Sequence, residues 1–184
     1  MPKKMQKESP KTKASAKSTQ LKTSKNKPAL LAEGDQAPDF SLPQAGGGTV
    51  SLTDYAGKKL VLFFYPRAGT PGCTLEASEF SRLASKFAAI ETTELGISAD
   101  PLKNVEAFHQ KHVLKIPLAT DESHSTLKAF GVWEKKNMYG KIFDGIVRST
   151  FLIGKTGRIL KIWSKVKVDG HAQAVLAAAK KETD

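Results

Sequence analysis

Blocks of apolar residues with two different periods follow one another along this chain, and they predict strands and helices in turn. The unbroken apolar run LVLFFY, residues 60–65, predicts a strand that is covered on both faces at the centre of a sheet. From residue 73 to residue 89, apolar positions recur at spacings of three and four, which is the pattern of one helix face. TTELGISAD, residues 92–100, predicts a second buried strand, and a proline then opens a helix over residues 101–112.

The flanking segments predict shorter elements. Residues 33–59 indicate short strands broken by glycine turns, with Pro38 and Pro43 confining the first strand to an edge or a loop. The glycines at 46–48 suit a hairpin turn. A short helix is expected to begin at residue 123 or 124 and to end near Gly131.

The carboxyl-terminal part predicts a hairpin and a last helix. RSTFLIG and GRILKIWSKVKV are joined by a turn at residues 155–157, and the alternation of lysine with valine over residues 165–168 suggests a half-exposed edge strand. The final helix is expected over residues 170–181. Strand–helix–strand units followed by a hairpin and a helix predict the α/β class, with a mixed central sheet and helices on both faces.

Composition divides the chain into a tail and one domain. Of the net charge of +11, residues 1–28 carry +8, from nine lysines and one acid, Glu8. This segment has no aromatic residue and no helical apolar stripe, so we predict a disordered Lys-rich tail at 1–28 and a folded domain at 29–184. The tail is either a solubilising arm or a weak, non-specific contact for nucleic acid. It contains no arginine, which argues against a transit peptide.

The cellular setting is inferred from what the sequence lacks. No apolar run approaches the roughly 18 residues that cross a bilayer, and the amino terminus has no apolar signal region. We therefore expect a cytoplasmic protein with no membrane contact. The single cysteine excludes an internal disulfide and any site built from several cysteines.

That cysteine, Cys73, is either a nucleophile or a small buried apolar residue, and buried inert cysteines are common. Its predicted place is the first turn of a helix, just beyond a central strand, where unpaired amides and the helix dipole stabilise a thiolate. Thr70 precedes it by three residues and can place a hydroxyl beside the sulfur. A thioredoxin-type dithiol would need a second cysteine at position 76, which is glutamate. What remains is a lone activated thiol that attacks an electrophile such as a peroxide and becomes a sulfenic acid.

These residues match a known pattern. YPRAGTPGCTLEA, residues 65–77, resembles the active-site loop of the AhpC/TSA-like peroxiredoxins, and its TPGCT-x-EA form is similar to the bacterioferritin-comigratory or peroxiredoxin Q branch. GDQAPDFSLP and RSTFLIG extend the resemblance over about residues 32–180. It implies a thioredoxin-like fold with an N-terminal β extension, and a thiol-dependent peroxidase that acts on hydrogen peroxide and organic hydroperoxides without a cofactor or metal.

The resemblance also implies roles for single residues. It places the peroxidatic thiolate at Cys73, the hydroxyl that orients the peroxide at Thr70, a shielding ring at Pro66 and a guanidinium at Arg148. Arg148 would hold the thiolate and stabilise charge that grows on the peroxide oxygens. Glu76 is a candidate for orienting this arginine, although glutamate is common in a first helical turn.

The chain departs from the resemblance at the resolving cysteine. Many members of the branch carry it five residues after the first cysteine, where this chain has Ser78, and others carry it in the next helix, where residues 101–112 contain none. An external thiol, from thioredoxin, glutaredoxin or glutathione, must therefore resolve the sulfenic acid. We expect a monomer or weak dimer.

Other interpretations stay open at this point. The second functional hypothesis is a nucleic-acid-associated redox sensor or chaperone that uses the basic tail and turns over little. His109 and His112 share a helix face, yet no further ligand is evident, so they are expected to be ordinary exposed residues rather than a metal site. The aromatic residues Trp133 and Phe143 are interpreted as core or rim packing, and the segment 133–146 could also form a loop near the site.

Overall fold

The protein folds around a five-stranded mixed sheet. The computed structural model describes residues 30–182, so the predicted tail at 1–28 lies outside the described residues. The elements, in chain order, are β1 (Ser41–Pro43), β2 (Thr49–Ser51), a 3₁₀ turn (Leu52–Tyr55), β3 (Lys59–Phe64), α1 (Pro71–Ala88), β4 (Thr92–Ser98), α2 (Leu102–Lys111), β5 (Leu118–Thr120), α3 (Ser125–Ala129), β6 (Trp133–Met138), β7 (Lys141–Ile146), β8 (Ser149–Ile153), β9 (Ile159–Ser164) and α4 (His171–Lys181).

The predicted central strand is β3. The sheet order is β5-β4-β3-β8-β9, with β3, β4 and β5 parallel and with β8 and β9 antiparallel to their neighbours. Side chains of the β3 segment alternate between two cores, because Val61 and Phe63 face one and Leu60, Leu62 and Phe64 face the other. This double burial explains why the run contains no polar residue.

Helices cover both faces, as predicted. On the first face, α1, α2 and α4 contribute Phe80, Val105 and Val175 to the core around Phe63. The rings of Phe63 and Phe80 stack with centroids 4.7 Å apart. On the second face, α3 and the N-terminal segment pack on the sheet, through residues that include Leu127. No helix within residues 30–182 is long and apolar enough to cross a membrane.

The N-terminal hairpin confirms the glycine-turn prediction. Strands β1 and β2 are antiparallel, and Pro43 pairs with Thr49 at the end next to the turn. Gly46, Gly47 and Gly48 all have φ between 77° and 97°, a region that residues with a side chain rarely enter. The triple glycine is therefore required by the backbone of this turn.

Two predicted features are wrong. Residues 165–168 are not a strand: β9 ends at Ser164, and Lys165 has a left-handed φ of 53°, which turns the chain out of the sheet. The amide of Val166 then donates to the Arg148 carbonyl. The segment 133–146 is not a loop, because β6 and β7 form an antiparallel hairpin of their own. The sequence pattern does not predict strand β5, which has only three residues.

A buried carboxyl group in β4 gives the first testable prediction. Glu94 is 3% exposed, its Oε1 has no hydrogen-bond partner within the described residues, and burial raises its pKa to about 8. The folded protein thus holds this proton more tightly than the unfolded chain, so the stability that Glu94 contributes should fall as pH rises from about 4.5 towards 8. The rise in pKa corresponds to at most about 5 kcal/mol. Because burying the glutamine amide also costs free energy, Glu94→Gln is expected to increase the free energy of unfolding at pH 8 by about 2 kcal/mol.

Urea unfolding at pH 5 and pH 8 measures this effect. Glu106→Gln, in α2, is the matched control and should leave the pH dependence unchanged. If Glu94→Gln and the unsubstituted protein lose the same stability between the two pH values, the carboxyl of Glu94 does not contribute to the pH dependence.

Candidate active site

The candidate site lies where β3 gives way to α1. Pro66 follows the strand and is exposed, and the amide of Ala68 donates to Asp100 Oδ2 at 2.7 Å, which fixes the connecting loop to the end of β4. Thr70 is the extended N-cap of α1, and Pro71, whose ring favours the first helical position, begins the helix. Cys73 is therefore in the first turn of α1, as the sequence predicts, and only 1% of it is exposed.

This position places the sulfur at the positive end of a long helix. The first amides of an α-helix have no partner within the helix, and the aligned peptide dipoles add positive potential there. α1 has 18 residues, so both effects are fully developed at Cys73. The first turn of α1 therefore presents positive potential to the sulfur.

Arg148 comes from a distant part of the chain and contacts the sulfur. It lies immediately before β8, and the antiparallel pairing of β8 with β3 carries it to the start of α1. Its Nη2 donates to Cys73 Sγ at 3.3 Å, and its Nη1 donates to Glu76 Oε2. The guanidinium thus joins Cys73 and Glu76 in one cluster, and this fork needs the geometry of arginine.

Glu76 is almost fully buried beside this guanidinium. The side chain is 1% exposed, and its Oε1 has no hydrogen-bond partner within residues 30–182. Burial raises the pKa of Glu76 to about 7, although the charge of Arg148 and its hydrogen bond oppose that rise. Burial lowers the pKa of Arg148, but Glu76 and Cys73 outweigh it and the net direction is upward. The guanidinium therefore stays charged.

Thr70 and Pro66 lie in the same loop without contacting the sulfur through a hydrogen bond. The single hydroxyl proton of Thr70 goes to the Arg67 carbonyl, with an O–O distance of 3.0 Å. The backbone carbonyl of Thr70 accepts from the amide of Thr74 in α1. The structure thus brings Cys73, Arg148 and Glu76 together, and the roles of Thr70 and Pro66 stay predictions.

The fold and this cluster match known proteins. The model of the AhpC/TSA family matches residues 33–162. The chain belongs to the AhpC/TSA family. Peroxiredoxin Bcp of Bacillus subtilis is 44% identical over 147 residues, which cover 80% of this chain and 94% of that protein.

Solved structures agree with this assignment. A mutant of Xylella fastidiosa PrxQ is 40% identical with a TM-score of 0.79, covering 83% of this chain and 98% of that one. The bacterioferritin comigratory protein of Xanthomonas campestris, studied for its alkyl peroxide reduction activity, is 42% identical with a TM-score of 0.74 and covers 77% and 90% of the two chains. This chain is thus a peroxiredoxin of the Bcp/PrxQ type, with a thioredoxin-like fold and thiol-dependent peroxidase activity.

The peroxiredoxin has a second cation near the site that sequence reasoning missed. Lys136, in β6, donates from Nζ to the Ile146 carbonyl. Burial lowers the pKa of Lys136, as does Arg148, while Glu134 and Cys73 act in the opposite direction. The charges of Arg148 and Cys73 therefore act on Lys136. No sequence signal distinguishes Lys136 from its neighbour Lys135, since both lie in a charged segment with no apolar period.

His109 of α2 and His112, which caps that helix, are half-buried, so the expectation that both are exposed is wrong. His109 Nε2 lies 3.1 Å from the Ile116 carbonyl oxygen, and His112 packs edge-on against Phe108. Within the described part of this peroxiredoxin, no group of three or more histidine, cysteine or acidic residues is arranged to hold a metal ion.

Proposed function

We propose that this peroxiredoxin reduces hydrogen peroxide and organic hydroperoxides through Cys73 alone, and that an external thiol completes each cycle. The observation that carries the proposal is the contact of Arg148 Nη2 with Cys73 Sγ in the first turn of α1. A thiolate and a fixed guanidinium are the two groups that a peroxide displacement needs. The cycle belongs in the cytoplasm, where low-potential thiols are abundant.

The first step consumes the peroxide. The Cys73 thiolate attacks one peroxide oxygen, an S–O bond forms, and the O–O bond breaks. The leaving hydroxide or alkoxide takes a proton and departs as water or an alcohol. Arg148 stabilises the charge that develops on these oxygens, while Glu76 holds the guanidinium in place. In this proposal the hydroxyl of Thr70 turns from the Arg67 carbonyl to orient the bound peroxide, and the ring of Pro66 shields the sulfur.

The second step must involve another molecule. The chain has one cysteine, so no internal disulfide can form. An external thiolate attacks the Cys73 sulfenic acid, releases water and forms a mixed disulfide, and a second thiol then restores the Cys73 thiolate. Thioredoxin, glutaredoxin and glutathione are the candidate reductants, and turnover measured with each system in parallel identifies which one operates.

We predict two products after one equivalent of peroxide in the absence of a reductant. One is the chain with one added oxygen, as the sulfenic acid, and the other is a dimer linked through Cys73. Intact mass spectrometry under non-reducing conditions distinguishes them, and a Cys73→Ser sample is the control. A monomer that has lost two hydrogens without gaining oxygen would contradict this prediction, because it would indicate that the sulfenic acid had condensed with a nitrogen of the same chain to a sulfenamide.

A second candidate function rests on the charge of residues 1–28. We propose weak, non-specific contact with nucleic acid through its nine lysines, which could make the protein a redox sensor or chaperone there. A full-length variant with these lysines changed to glutamine should bind a DNA duplex at least about tenfold more weakly at low salt than the unsubstituted protein. Equal shifts of both proteins in a gel would exclude the tail as the contact.

A further inference from the structure

A basic cleft adjoins the candidate active site. It has a volume of about 610 Å³ and lies between the β6–β7 hairpin and the segment that follows β9. Its charged lining consists of Lys135, Lys136, Arg148, Lys165 and a single carboxylate, Glu134. The volume falls within the roughly 300–1,000 Å³ range of small-molecule sites. Arg148 belongs to both the cleft and the cluster around Cys73.

The positive charge of this cleft is only partly compensated. Lys135 forms a salt bridge with Asp144 at 3.4 Å, and Arg148 pairs with Glu76. Neither Lys136 nor Lys165 forms a salt bridge within residues 30–182. Cations on facing walls of one concave site attract an anion and raise its local concentration.

The backbone around the cleft holds its walls in place. The amide of Val166 donates to the Arg148 carbonyl at 3.0 Å, so the wall that carries Lys165 is tied to the residue beside the sulfur. On the other side of the cleft, Lys136 of β6 donates to the Ile146 carbonyl of β7, so its side chain is held against its own hairpin. The cleft is thus part of the folded domain rather than an accidental gap between surface lysines.

We propose that this cleft binds a small thiol that carries carboxylates, of the glutathione class, and presents it to the oxidised Cys73. The inference rests on the proposed function, because only a single-cysteine cycle needs an external thiol at every turnover. Hydrogen peroxide is uncharged and far smaller than the cleft, so binding it does not require Lys165 or Lys136. The attacking form of a thiol, in contrast, is an anion, and nearby cations favour it.

The chemistry balances with two such thiols. The first, as a thiolate, attacks Sγ of the Cys73 sulfenic acid, so an S–S bond forms, the S–O bond breaks, and the hydroxide leaves as water after taking a proton. The second thiolate attacks the sulfur of the small thiol in the mixed disulfide and releases the Cys73 thiolate. Two thiols are oxidised to one small disulfide, and the sulfenic sulfur is reduced.

The test compares glutathione with glutathione diethyl ester, which has the same thiol but no free carboxylate. The full-length protein is oxidised with one equivalent of peroxide, and the rate constant for loss of the sulfenic acid is measured with each thiol by stopped flow. We expect glutathione to react at least about fivefold faster than the ester at equal thiolate concentration, and this preference should shrink as salt is added.

Variants that remove positive charge test whether the preference for glutathione over its ester arises in the cleft. The double variant Lys135→Gln and Lys165→Gln changes two exposed cleft residues. Its glutathione-to-ester ratio is expected to fall at least about twofold, because Lys136 and Arg148 keep only part of the positive charge. The double variant Lys86→Gln and Lys103→Gln removes the same charge from the exposed faces of α1 and α2 and is the matched control, which should keep the ratio of the unsubstituted protein. In both double variants, oxidation of Cys73 by peroxide shows whether the site has folded.

The outcomes separate this proposal from the proposed function. If sulfenic acid forms but the ratio is about one in the unsubstituted protein, or is unchanged in the cleft variant, the cleft is not a thiol site and the peroxidase proposal stands. If the cleft variant slows only reaction with thioredoxin, the surface docks a protein and this proposal is overturned. The proposal is also overturned if the cleft variant slows only the oxidation of Cys73 by a hydroperoxide that carries a carboxylate. If no sulfenic acid forms, both proposals fail.

Discussion

Replacing Cys73 with serine is expected to reduce peroxide turnover by at least about 10³-fold, because the substituted chain has no other sulfur nucleophile than methionine. A serine hydroxyl is not ionised near neutral pH, so neither the start of α1 nor Arg148 has an anion to stabilise. Peroxide consumption coupled to a thiol reductant measures the effect. Residual turnover close to that of the unsubstituted protein would contradict the assignment of Cys73.

Folding has to be checked in the same variant. Cys73 is 1% exposed and belongs to the core that contains Phe63 and Phe80, so a hydroxyl there is buried. Cys73→Ala avoids the buried polar group and serves as the second variant. Both should give the thermal transition of a folded domain while lacking activity, and this result would separate lost chemistry from lost structure.

Substitution of Arg148 is expected to have the second largest effect. Arg148→Lys should slow oxidation of Cys73 by hydrogen peroxide by about 10²–10³-fold, the usual cost of removing one fixed donor from a developing negative charge. A lysine keeps the charge but has no planar fork, so one ammonium group cannot reproduce the paired contacts with Cys73 Sγ and Glu76 Oε2. Stopped-flow measurement of the oxidation step isolates this effect from the later thiol reactions.

Arg158→Lys is the matched control for this substitution. Arg158 follows the turn before β9, at the other end of the sheet, where its Nη1 donates to the Gly34 carbonyl. The same chemical change there should leave the oxidation rate constant within about twofold. If Arg148→Lys also leaves it unchanged, the guanidinium contact with the sulfur has no part in the peroxide step.

Much of the fold follows from local patterns in the sequence. The run at residues 60–65 has no polar residue because both of its faces are covered, and α1 shows a helical period because one face packs on the sheet. The β6–β7 hairpin escaped prediction for the opposite reason. Three of its apolar residues, Met138, Ile142 and Phe143, are exposed, and only the ends of the two strands reach the core, so burial imposes no period along this segment.

The site residues likewise divide into those that a local sequence pattern predicts and those that depend on long-range pairing. The place of Cys73 at a strand-to-helix junction follows from the pattern alone. Arg148 is 75 positions away and enters the site through the pairing of β8 with β3, which no local period reveals. Its part in the prediction therefore came only from the resemblance to peroxiredoxins. Lys136 lies near the site only because of this long-range pairing and the unpredicted β6–β7 hairpin. The basic cleft could therefore not be predicted from the sequence.

Gly72 shows how closely the site is fitted together. A Cβ at this position would lie 3.3 Å from Arg148 Nη2, the same nitrogen that donates to Cys73 Sγ. A methyl group would therefore push the donor away from the sulfur by a few tenths of an ångström. The lack of a side chain at Gly72 thus leaves room for the contact between Arg148 and Cys73. The rate of Cys73 oxidation in Gly72→Ala would therefore measure how much displacement of the Arg148 guanidinium the peroxide step tolerates.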